Sequence, residues 1–154
     1  MKQKIYIDTS IVGGYFDDEF AEDTRELFDR LINKEVIFVV SDLLEQELIN
    51  APIHVKELLN NLDTDSIEKV IATDEARTLA LTYISEGIIS NKYLDDCIHI
   101  AIATTYKVDV LASWNFKHIV NLNRIKGYNS VNLRLGYAIL EIRNPKELIK
   151  YELK

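Results

Sequence analysis

Short, uninterrupted apolar runs set between longer helix-like stretches constrain this chain more than any other feature. Ile5-Tyr6-Ile7 and Val36 to Val40 carry no polar residue at alternate positions. A strand that is apolar at every position must be covered on both faces, as in a parallel sheet flanked by helices. Val108 to Ala112 reads as a further strand, and Ile67 to Ala72 is more polar and suits a sheet edge. Between them, residues 21–33 place Leu27, Phe28, Leu31 and Ile32 on one face of a helix. Ser41 is set to cap the helix after the second strand, and Pro52 ends that helix or opens the next, over 53–62. Thr73 caps a helix over 74–86 that Gly87 closes, and Ser90 or Asn91 caps a greasy helix over 92–106. Residues 129–136 read as a helical turn, Ala138 to Ile142 as a fifth strand, and Pro145 as the opening of a last helix. The Gly13-Gly14 pair reads as a flexible connection after the first strand. Strands alternating with helices predict an α/β sandwich, a parallel sheet with helices on both faces, as one domain over 1–154.

A chain of 154 residues supports one sizeable core. No run approaches the ~20 apolar residues of a membrane span. Asp8 interrupts the opening apolar segment too early for a secretory leader, so a cytoplasmic protein is expected. The single Cys97 lies in an apolar helix and reads as a buried structural thiol. The net charge of −7 excludes a general basic coat, but the charge is uneven. Residues 1–100 hold 9 Lys/Arg against 21 Asp/Glu, whereas residues 101–154 hold 9 against 4. The C-terminal third is therefore a local source of positive potential.

In a parallel sheet the carboxyl end of each strand and the amino end of each following helix share one edge, where ligands bind in open α/β folds. That rule alone brings Asp8, Glu47, Asp95, Asp96 and Asn115 to one rim. Several carboxylates at one spot repel one another unless a cation intervenes, and oxygen donors in that number suit Mg²⁺ or Mn²⁺. His54, His99 and His118 lack zinc-ligand spacing. Asp42, Glu45, Asp74 or Asp95 singly is accounted for by the helix macrodipole, which favours acids in a first turn. Asp8 differs, because a carboxylate ending an apolar buried strand needs a compensating partner. His99, on an otherwise greasy helix, reads as a hydrogen-bonded core histidine, and the Tyr128–Tyr137 region as packing.

Ile5-Tyr6-Ile7-Asp8-Thr9-Ser10, Ser41-Asp42-Leu43-Leu44-Glu45-Gln46-Glu47-Leu48, Asp96-Cys97-Ile98-His99-Ile100-Ala101 and Val110-Leu111-Ala112-Ser113-Trp114-Asn115-Phe116 resemble, in order, the four motifs of the PIN-domain family, which includes the VapC-type toxins. The resemblance implies a three-layer α/β/α fold with strand order 3-2-1-4-5. It implies a Mg²⁺- or Mn²⁺-dependent endoribonuclease, usually the toxin of a toxin–antitoxin pair, with an antitoxin partner, an RNA substrate and often a homodimer. Asp8, Glu47 and Asp96 correspond to the metal ligands; Glu45 and Asp95 are the alternatives beside two of them. Asn115 stands where the family often has an aspartate and would serve as a ligand or orient a water. Thr9 and Ser10 are candidates for hydrogen bonds that fix Asp8, and Lys117, His118 and Arg124 for contacts to the RNA backbone. The loss of charge at Asn115 leaves open a protein that binds RNA or an antitoxin without cutting. A phospho-acceptor role for Asp8 finds Tyr6 and Ser10 where further acids would be wanted.

Overall fold

The computed structural model describes residues 2–152, with side chains through Leu148. Its strands are β1 (Gln3–Ile7), β2 (Val36–Ser41), β3 (Ile67–Val70), β4 (Val110–Ala112) and β5 (Ile142–Arg143). The helices are α1 (Thr9–Gly14), α2 (Ala21–Ile32), α3 (Asp42–Glu47), α4 (Ile53–Asn60), α5 (Asp74–Ser85), α6 (Leu94–Thr105), α7 (Leu122–Arg134) and α8 (Pro145–Glu152). All paired strands run parallel, in the order β3-β2-β1-β4-β5. This is the α/β/α arrangement the sequence leads one to expect.

The two-residue period of a strand splits its side chains between two helical layers. Tyr6, Val39 and Leu111 face a cluster that includes Tyr83, Ile100, Ala101 and Tyr128, from α5, α6 and α7. Ile5, Ile7, Phe38 and Val40 face the other, with Leu27, Phe28 and Leu31 of α2 and Ile11 of α1. At about 1.5–3 kcal/mol for each large apolar side chain fully buried, these two faces supply the main drive to fold.

Several boundaries differ from expectation, each for a local reason. The Gly13-Gly14 pair is not a flexible link but the end of α1. Gly14 is required because a Cβ there would lie 2.7 Å from the indole of Trp114. Helix α7 begins at Leu122, well before the expected turn, with Asn121 Oδ1 accepting from Arg124 N at 3.2 Å. Gly127 sits inside it because the side chain of Ile88 fills the space a Cβ would need, 2.7 Å away. The fifth strand is displaced to Ile142–Arg143. Asn129 holds the backbone of Leu140 at both groups, accepting from its N–H at 2.8 Å and donating to its carbonyl at 3.1 Å, so that residue is unavailable to the ladder. The expected helix over 92–106 opens as a 3₁₀ turn, Asn91–Tyr93, capped by Ser90, before α6 proper. Cys97 is buried as expected, and burial pushes its thiol up to about 12.

Candidate functional site

β1 and β4 are neighbours, with Ile7 paired to Ala112. The residues that follow them therefore meet at the carboxyl edge of the sheet. Asp8 is 4% exposed there. Its Oδ1 accepts from Ser10 Oγ and its Oδ2 from Ser113 Oγ, both at 2.6 Å. The serines are themselves held: Ser10 Oγ accepts from Trp114 N at 2.8 Å, and Ser113 Oγ from Asn115 N at 2.9 Å. Burial raises the Asp8 carboxyl above the usual range, and Asp96 adds to the rise; His99 and the two hydroxyls oppose it without cancelling it.

Glu47, the last residue of α3, reaches the same edge from β2. Its Oε1 accepts from Thr9 Oγ1 at 2.7 Å and lies 2.6 Å from His99 Nε2. A carboxylate only accepts, so Nε2 carries the proton of that contact. The other ring nitrogen, Nδ1, is 2.6 Å from the Tyr6 hydroxyl, which is 2.8 Å from Ser41 Oγ. In a neutral imidazole Nδ1 then accepts from Tyr6, and Tyr6 accepts from Ser41. Ser41 in turn caps α3 by accepting from Leu44 N at 3.2 Å. One run of hydrogen bonds thus ties the first turn of α3 to the carboxylate at its end. Burial pushes Glu47 up, but the bonds from His99 and Thr9 outweigh it and leave the group below its ordinary value.

Asp96, in the first turn of α6, lies with its Oδ2 3.0 Å from Nδ1 of His118. His118 is buried, with its ring against Tyr93 at 3.7 Å between centroids. Burial holds Asp96 above the carboxylate range and Glu47 adds to this, against the favourable effect of His118.

Comparison with known proteins bears on this architecture. No protein-family model matches the sequence, and no curated protein does. Among solved structures, VapC20 of Mycobacterium tuberculosis, a sarcin-ricin loop cleaving toxin, aligns over 88% of this chain and 98% of its own at TM-score 0.57 and 10% identity. VapBC2 of Rickettsia felis, bound to a DNA fragment from its promoter, aligns over 92% and 98% at 0.56 and 15%. FitAcB of Neisseria gonorrhoeae aligns over 92% and 97% at 0.57 and 14%. The chain has the PIN-domain fold.

In this PIN fold the rim residues separate clearly. Glu47 rather than Glu45 faces the rim, because Glu45 turns away to Lys69 at 3.4 Å. Asp96 is half-buried beside His118, while Asp95 is exposed. Ser10 holds Asp8 as expected, but Thr9 holds Glu47 instead. Asn115 Oδ1 accepts from Lys117 N at 3.2 Å and His118 N at 3.0 Å, capping a turn with the oxygen that a ligand role would use. His118, expected near the RNA backbone, is instead buried on Asp96, because the Asn115 turn folds it inward. Lys117 is exposed, and Arg124 donates to the carbonyl of Ile88. His99 is the hydrogen-bonded core histidine anticipated, with Glu47 as its partner. Ser113 and Tyr6 were not anticipated as polar partners. Ser113 was findable, since it follows β4 as Asp8 follows β1.

The oxygen donors suit a hard divalent cation. Among the described residues, however, no group of three His, Cys, Asp or Glu side chains stands arranged to hold a metal. Glu47 and Asp96 are each turned to a histidine. Asp8, Glu47 and Asp96 are the residues that would hold an ion. No described helix is long and apolar enough to cross a membrane.

Proposed function

We propose that the protein is a divalent-cation-dependent endoribonuclease and the toxin of a toxin–antitoxin pair. The observation that supports this best is the buried Asp8, raised by burial and by Asp96, on the carboxyl edge of a PIN fold. Among the similar solved structures, one is a sarcin-ricin loop cleaving toxin and another a toxin–antitoxin complex from Klebsiella pneumoniae. Mg²⁺ or Mn²⁺ would supply Lewis acidity toward a phosphate oxygen and acidify a bound water.

The chain's own part is positioning. Ser10 and Ser113 orient Asp8 from both oxygens, so its carboxylate cannot swing. Thr9 and His99 hold Glu47 ionised at neutral pH, available as a ligand or to steer a water. His118 bonds Asp96 and opposes the rise that burial imposes on it, without cancelling that rise. The expected partner is an antitoxin that covers this rim, and pairing into a homodimer is part of the same reading.

The test is cleavage of a single-stranded RNA by purified protein with Mn²⁺. Asp8→Asn and Asp96→Asn should each abolish it while the fold survives; full activity in both, free of contaminating nuclease, removes the mechanism.

A second reading has its own support in Asn115. With its carbonyl oxygen committed to a turn, the fourth position contributes neither charge nor a free acceptor, as in a PIN fold that binds RNA or an antitoxin without cutting. Calorimetric titration separates the two: the nuclease takes up Mn²⁺ at the rim, and Asp8→Asn removes the heat, whereas the binder shows none.

A further inference from the structure

A cavity of about 610 Å³ opens beside the rim, between the turn after α5 and the start of α7. Its floor is Ile88 against Gly127, and Lys117, Arg124, Asn121 and Asn123 stand around it. No carboxylate lines it, which is unusual placement in a chain of net charge −7. Lys117 is exposed, and among the described residues neither it nor Arg124 takes part in an ion pair. The two cations differ in mobility. Arg124 is pinned by the Ile88 carbonyl, so its remaining N–H groups are oriented in advance. Lys117 is a free point charge on a flexible stem.

The cavity adjoins the candidate site through one residue. Lys117 precedes His118, whose ring bonds Asp96. The same loop separates two surfaces of opposite sign. On one side Trp114 stacks on Phe20 at 4.3 Å between centroids, and the exposed Asp17, Asp18, Glu19 and Glu22 flank Phe20 in the chain. On the other side lies the cation-lined cavity. A polyanion approaching the rim is repelled by the first surface and attracted by the second.

We infer that this cavity takes the sugar-phosphate backbone of single-stranded RNA flanking the scissile position, with Lys117 and Arg124 as the phosphate contacts. The inference rests on the ribonuclease reading and adds the direction from which the substrate lies on the rim. Backbone contacts of this kind position a strand without reading its bases.

The experiment measures binding apart from cutting: a fluorescein-labelled single-stranded RNA of mixed sequence, titrated with the whole protein in EDTA over a series of salt concentrations. Lys117→Ala, Arg124→Gln and Asn123→Asp should each weaken binding several-fold. The two cation losses should also flatten the slope of log K against log salt by about 0.7 each, the value for one phosphate contact on a single strand. Lys56→Ala, which removes an exposed charge from α4, should change neither quantity. Arg124→Gln also loses the Ile88 contact, so its fold is checked by thermal unfolding; Lys117→Ala and Asn123→Asp are surface changes that stand without that check. Unchanged affinity and slope in Lys117→Ala and Asn123→Asp, with the parent protein still binding and cutting RNA, overturns the inference and spares the function. A parent protein that neither binds nor cuts RNA sinks the ribonuclease reading itself.

Discussion

His99 Nε2 lies 2.6 Å from Glu47 Oε1, across 52 residues of sequence, and is itself backed by the Tyr6 hydroxyl at 2.6 Å. The pair joins the interior of the sheet to its functional edge. Because each buried polar atom in the run satisfies the next, removing one strands its neighbour in a dry environment.

Tyr6→Phe and His99→Ala should each destabilise the protein by about 1–3 kcal/mol, the usual cost of a buried partner left unsatisfied. In the double variant the losses should fall short of additive by about 0.5 kcal/mol or more. Urea unfolding measures all three. Strict additivity means that the run is not a unit.

Asp8 and Glu47 should respond to pH with opposite sign. The folded Asp8 carboxyl is raised from 3.8, so the folded state holds its proton longer and stability falls as pH climbs from that value through the folded pKa. Asp8→Asn should therefore be more stable than the parent at neutral pH, the advantage fading as pH drops toward 3.8. The folded Glu47 is lowered from 4.5, so it stabilises above that value and the contribution is lost as pH falls through the folded pKa. Glu47→Gln should be the less stable protein at neutral pH. Denaturant midpoints across pH check both, and shifts of the same sign contradict the assignment.

A metal at the rim should raise the melting temperature through mass action. Mn²⁺ at about 100 times its Kd would add about 2.7 kcal/mol. Asp8→Asn and Asp96→Asn should each erase the shift, and Cys97→Ala, deep in α6, should keep it. A parent protein whose melting is indifferent to Mn²⁺ has no such site.

Two adjacent glycines should behave in opposite ways. Gly13 meets nothing within 4 Å, so Gly13→Ala should stabilise α1 by about 0.5–1 kcal/mol. Gly14→Ala drives a methyl into the indole of Trp114 and should cost about 1–3 kcal/mol. The protein has one tryptophan, so its fluorescence should move in the second variant and stay put in the first.

Sequence alone determined the layers and the identity of the edge. Apolar runs and caps such as Ser41 and Thr73 act over a few residues, and periodicity is a local signal. It was enough to place Asp8, Glu47, Asp96 and Asn115 on one rim. Which polar atom each would meet is a long-range matter, decided by strand register and side-chain burial. The pairing of Ile7 with Ala112 gave Asp8 the hydroxyl of Ser113, 105 residues away. The inward fold of the Asn115 turn buried His118 on Asp96 and spent the oxygen that Asn115 would have offered. Close approach of Trp114 and Ile88 required glycine at positions 14 and 127 within helices, where local propensity argues for breaks. Short-range patterning chose the elements; their packing chose the partners, because a buried polar group must bond to whatever the fold brings within reach.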